Sequence, residues 1–344
     1  MRKEVLAVGC ALMVFCGCGK NNAAQHYESG WAAMEKKDYT TAVNEFQQVI
    51  DQNSRLAESY RAEGIAYYSE KAYPEAIAAF SRSLNNMDDP DKEFKKDVQF
   101  YLAQARMDYG EVDKAIEVYS EILKAGEDEQ AFFLRGKAYI SMEDYKNAEK
   151  DFQRALEGCE DYNLYINIYQ IYVAHNKAVD GDAYLKMALE LEPQDGEDCY
   201  HRGRIYEYEK NYEAARDELK TAMEQGYEDA MLLLGRVYLE MEDPASARSM
   251  YQEYLQKSEQ GAKAYNGLAM CDIYDGAYDS ALENIAQGLK ENSKEDEQGL
   301  LYNEIVAYEY KRDFATAKEK MKIYLEQYPE DEAALRENEF LSTR

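Results

Sequence analysis

The 344-residue chain carries 68 Asp and Glu against 40 Lys and Arg, a net charge of −28. So acidic a chain has no surplus of cations to displace counterions from a phosphate backbone, which excludes nucleic acid as a partner, and an anionic bilayer surface repels it. Its 46% hydrophobic content, 32 tyrosines and five prolines argue against a disordered polyelectrolyte and for a packed helical body.

Arg2 and Lys3 precede an apolar run from Val5 to Phe15, eleven residues, which on a helix is too short to cross a bilayer core. Gly17 supplies the small residue that export peptidases need, so residues 1–17 read as an export signal. The stretch FCGC at 15–18 resembles the bacterial lipoprotein signal, in which a bulky apolar residue, a variable residue and a Gly or Ala precede an acylated Cys. That resemblance implies a palmitate-bearing Cys18 as the new N-terminus, followed by a short tether over 18–23. It also implies a lipid-anchored, extracytoplasmic protein, on the outer membrane where a cell has two. Phe15 stands where Leu is usual, and Cys16 is a rival for modification, but Gly17 is correctly placed only for Cys18.

From residue 24 onward the chain repeats itself. ESGWAAMEKKDYTTAVNEFQQVI (28–50), AEGIAYYSEKAYPEAIAAFSRSL (62–84) and LRGKAYISMEDYKNAEKDFQRAL (134–156) share Gly, then Tyr nine, Ala twelve and Phe sixteen residues later. The small residue marks each copy, and markers recur at 30, 64, 103, 136, 169, 203, 235, 269 and 305. Small residues on paired helices let two backbones approach, and the aromatic residue fills the gap between successive pairs. The fifth copy, with Tyr169 and Gly181, and the ninth, with Ile305, are degenerate. The longer second interval falls on NNMDDPDKE (85–93), a loop insertion; Pro90 interrupts the regular ligand spacing that a Ca²⁺ loop needs. After Pro329, residues 330–344 read as a capping helix and tail.

These small and aromatic positions resemble the tetratricopeptide repeat family over 24–329. The resemblance implies an all-α, right-handed superhelical solenoid of about nine helical hairpins, whose first helices line a concave, protein-binding groove. In the family the groove-facing side chains lie three residues before, one after and four after each marker. Here they include Tyr27, Trp31, Arg61, Tyr68, Phe100, Phe133, Lys137, Tyr200, Arg204 and Arg236. Of twenty-seven such positions eighteen are apolar or aromatic, four are basic and only Glu207 and Glu309 are acidic, so the groove carries a net +2 and suits a partner mixing apolar and acidic residues. Packing between adjacent hairpins competes with partner contact as the role of each apolar side chain. Pairing with Glu207 or Glu240 competes with ligand binding for Arg204 and Arg236. The Lys and Asn pair with which some chaperone-binding members clamp a terminal carboxylate is absent at the matching places.

Cys159, Cys199 and Cys271 follow no paired motif and read as small buried hydrophobes. His26, His175 and His201 are isolated, and no Gly-rich phosphate loop, nucleophile elbow or metal-ligand cluster appears. The expectation is a non-enzymatic binding module without cofactor, docking a peptide or helix of another envelope protein. The alternative is a structural scaffold subunit of an envelope assembly complex.

Overall fold

The computed structural model describes residues 22–87, 91–258 and 260–344. The expected signal, Cys18 and most of the tether lie outside these residues, as do Asp88, Asp89 and Pro90 of the insertion. Among the described residues the secondary structure is helical throughout, and no helix is long and apolar enough to cross a membrane.

Among the described residues the helices fall into nine successive pairs and one further helix. In chain order these are α1 (Asn22–Glu35) with α2 (Tyr39–Asp51), α3 (Leu56–Ser69) with α4 (Tyr73–Asn85), and α5 (Lys92–Tyr109) with α6 (Val112–Ala125). Next come α7 (Glu129–Ser141) with α8 (Tyr145–Ala155), α9 (Tyr162–Ala174) with α10 (Ala178–Leu189), and α11 (Gly196–Tyr208) with α12 (Tyr212–Glu224). The last are α13 (Ala230–Glu240) with α14 (Pro244–Lys257), α15 (Ala262–Tyr274) with α16 (Tyr278–Lys290), and α17 (Glu297–Tyr310) with α18 (Phe314–Gln327), followed by α19 (Glu332–Ser342). Two compact units divide them, one ending at Tyr184 and the other beginning at Leu185, within α10.

The sixteen-residue offset is a steric pair. A Cβ added at Gly30, Gly64 or Gly136 would stand 2.5–2.7 Å from the ring of Phe46, Phe80 or Phe152, so only glycine lets the second helix come this close. Each ring also touches the next hairpin: Phe46 is buried among Ala62 and Ala66, and Phe152 lies 6.0 Å from the Tyr172 ring. The degenerate fifth pair reverses the device, because Tyr169 is large and Gly181, on the opposite helix, yields the space. Burial is thus distributed in successive clusters between neighbours rather than in one centre.

Every turn within a pair is built alike. Seven residues after each marker the backbone is left-handed, at Lys37, Lys71, Gly110, Glu143, Asn176, Lys210, Glu242, Gly276 and Arg312. The next amide then bonds back to the carbonyl five residues earlier, as in Asp38 to Ala33 at 2.9 Å and Asp313 to Tyr308 at 2.9 Å, the Schellman closure of a helix end. Asp38, Asp144, Asn211, Asp243 and Asp313 follow, and their side chains accept from the amide three residues on, capping the second helix. The insertion is shorter than expected, because Asp91 caps α5 through the Glu93 amide at 3.0 Å and the helix takes up residues from 92 onward. The capping helix is present as α19, with Ala334 and Leu341 buried against Ile305, Met321 and Tyr324.

Candidate binding groove

Within each unit the first helices of successive hairpins touch: α1 on α3, α3 on α5 and α7 on α9 in the first, α11 on α13, α13 on α15 and α15 on α17 in the second. This layer carries the positions singled out in the sequence, and the two units are described in turn.

In the first unit, Tyr27 and Trp31 form an edge-to-face trio with Phe46, centroids 5.8 and 5.6 Å from it, and both remain half-buried. They are therefore part packing, part surface. Arg61 is ion-paired with Asp97 on α5 and lies 5.2 Å over the Tyr101 ring. The Tyr68 hydroxyl donates to Asp108 at 2.5 Å, and burial, with that hydrogen bond second, pushes its ionisation well above the usual phenol range. Half-buried Phe100 and Phe133 lean on Tyr119 (6.3 Å) and Phe152 (6.1 Å), and Lys137 is exposed. Asp97 and Asp108, six residues before and five after the third marker, thus bridge α3 to α5. Sequence reasoning missed both, since the family's groove positions skip them.

In the second unit, the Tyr200 ring lies 4.9 Å from that of Tyr227, tilted by 36°, and the Tyr227 hydroxyl is pushed up to about 12 by burial and then by Glu197. Arg204 lies 5.9 Å over the Tyr200 ring and 3.1 Å from His201. Arg236 pairs with Glu207 at 2.6 Å, the partner weighed from the sequence. Asn303 on α17 donates to Asn266 on α15 at 2.8 Å. A cavity of about 800 Å³ opens here, bounded by Tyr200, Leu232, Arg236, Tyr251 and Met270 and by the α16–α17 connection. That connection, with Glu291, Glu295 and Asp296, lies outside the first-helix positions, and its acid-rich stretch ENSKEDEQ was the available signal.

Among the described residues no group of His, Cys, Asp and Glu is arranged to hold a metal ion. Cys199 and Cys271 are buried, and burial pushes the Cys271 thiol up to about 11. Cys159 departs from the expectation of a buried hydrophobe: it sits half-buried in the connection between α8 and α9. Chemically the layer offers partly exposed aromatic and aliphatic surface crossed by polar bridges.

A family model described as tetratricopeptide repeat matches residues 27–91, 200–262 and 232–297, and a second of the same description matches 129–161, together more than half of the chain. A search of curated proteins finds no match. Among solved structures the chain is similar to a tetratricopeptide repeat protein from Parabacteroides merdae, at 16% identity, covering 83% of this chain and 99% of that one with a TM-score of 0.45. Similar too are yeast Tom70, at 14% identity, 89% and 78% coverage and a TM-score of 0.49, and PilF of Pseudomonas aeruginosa, at 18%, 63% and 97% with 0.42.

Proposed function

Because this chain belongs to the tetratricopeptide repeat family, we propose that it is a lipid-anchored, extracytoplasmic protein whose first-helix faces dock a peptide or helix of another envelope protein. The observation that carries the docking is the row of side chains that packing leaves partly open: Tyr27, Trp31, Tyr68, Phe100 and Phe133 in one unit, Tyr200, Leu232 and Met270 in the other. Aromatic residues carry more contact energy per residue at interfaces than other types. The anchor rests on FCGC and on Gly17 before Cys18.

Trp31→Ala and Phe133→Ala, compared in a melt and in partner capture from detergent-solubilised membranes, test the docking. Groove contacts should fold and lose about tenfold or more in capture, at least ~1.4 kcal/mol. Core residues would instead lose roughly 3–5 kcal/mol of stability. Cys18→Ser should abolish metabolic palmitate labelling, and label that persists would move the acylation to Cys16.

The scaffold reading keeps one supporting observation. Ile323 on α18 with Leu335 and Phe340 on α19 are large, apolar and exposed at the end of the repeat. Variants at Trp31 and Phe133 that fold and capture normally would favour it.

A further inference from the structure

The cavity of the second unit has an apolar floor and an acidic rim. Leu233, Tyr251 and Tyr254 are buried beneath it, while Leu232 and Met270, the latter 40% exposed, present open apolar surface. Around them stand Asp229, Glu291, Glu295 and Asp296 against two cations, Arg236 and Lys263. Both cations are already answered. Arg236 is held by Glu207 at 2.6 Å, and Lys263 lies 3.5 Å from Glu295 and 4.0 Å from Asp296.

Asp229 and Glu291 are left exposed, with no cation within ion-pairing distance among the described residues. Asp229 stands at the N-cap of α13, yet its carboxylate makes no capping bond. Glu291 is the C-cap of α16, where the negative end of the helix dipole adds to its own charge. The positive balance expected from first-helix positions is therefore reversed here, because the cavity wall is completed by a connection and by helix ends that those positions do not include.

We infer that this cavity takes an extended peptide segment carrying Lys or Arg beside an apolar residue, the apolar side chain on Leu232 and Met270 and the cation between Asp229 and Glu291. The inference rests on the docking reading and gives it a partner chemistry. The volume lies in the range of sites that enclose a compact ligand or a few side chains. Phosphate-bearing ligands are repelled by the rim, and a second copy of a chain of net −28 brings the wrong charge.

A bead-displayed library of random short peptides screened with the full chain tests this. Captured peptides should be enriched in Lys or Arg next to an apolar residue and depleted in Asp and Glu. Asp229→Asn with Glu291→Gln should weaken them about tenfold. Glu319→Gln with Glu326→Gln, the same charge change on exposed positions of α18, should not. Equal weakening by both pairs would mean general attraction to an acidic chain, and would overturn the inference. So would acidic or uncharged enrichment, or no capture at all. Peptides without charge preference that still lose binding on Met270→Ala would overturn the basic partner and leave groove docking standing.

Discussion

Glu63 stands one residue before its marker, where sister hairpins place one member of an ion pair. Arg135 meets Asp151 at 2.7 Å, Arg202 meets Glu218 at 2.8 Å and Glu304 meets Lys320 at 2.8 Å, each pair sixteen residues apart across the hairpin. For Glu63 that place is held by Ala79, so a carboxyl only 3% exposed keeps Oε2 without a partner. Burial raises its ionisation above the ordinary range, with the Arg82 charge opposing. For an acid shifted upward, the folded state holds the proton that the unfolded chain has released. Its contribution is intact below the unfolded value and is lost as pH rises through the folded one. Glu63→Leu should therefore stabilise the chain at neutral pH by about 1–3 kcal/mol. The gain should shrink in melts run near pH 4; a variant less stable than the parent at pH 7 would show that the carboxyl has a partner.

At the scale of an element, seven of the nine left-handed turn residues are not glycine and are a recurring cost. An L-residue in this region costs roughly 1–2 kcal/mol, while glycine returns part of the gain through its freer unfolded chain. Lys37→Gly and Lys71→Gly should each stabilise by about 0.5–1 kcal/mol, and Gly110→Ala should destabilise by roughly 1–2 kcal/mol, in chemical denaturation. The docking of α19 on α17 adds a pH-dependent contact. Glu309 of α17 has Oε1 buried without a donor, and its ionisation is pushed up to about 7, first by burial and then by Glu337 of α19. Tyr302 lies near the pair on α17, and Arg336 is turned to Glu332 at 3.5 Å. Folded, the pair retains a proton that unfolding releases, so this contact is strongest below the unfolded value near 4.5 and weakens as pH rises through about 7. Hydrogen exchange should show α19 losing protection between acidic and mildly alkaline pH, and Glu309→Gln should flatten that dependence.

Over the whole molecule the excess of carboxylates acts against compaction. Exposed charges are screened beyond about 8 Å at physiological ionic strength, so salt relieves the net repulsion more than it weakens close ion pairs. The thermal midpoint should rise from low to physiological salt. A fall would mean that cross-helix pairs such as Arg61–Asp97 and Arg236–Glu207 outweigh the repulsion of a chain of net −28.

The sequence by itself determined the nine hairpins and their markers, because those rest on close approach between residues sixteen apart in one hairpin: Gly30 under Phe46 obeys the same local sterics as Gly136 under Phe152. The terminal cap was legible in the stretch after Pro329. The sequence also offered Glu207 as a partner for Arg236, a groove position on the preceding first helix. Tertiary structure decided the rest of the groove's electrostatics. Asp97 reaches Arg61 from thirty-six residues away and from a helix register that the repeat offsets pass over. The acidic rim of the second unit is assembled from Asp229 at the N-cap of α13 and from Glu291, Glu295 and Asp296 at and after the end of α16, which meet only once the hairpins are stacked. Local sterics repeat along the chain and can be read there, whereas the charge of a surface belongs to whichever segments stacking brings to it.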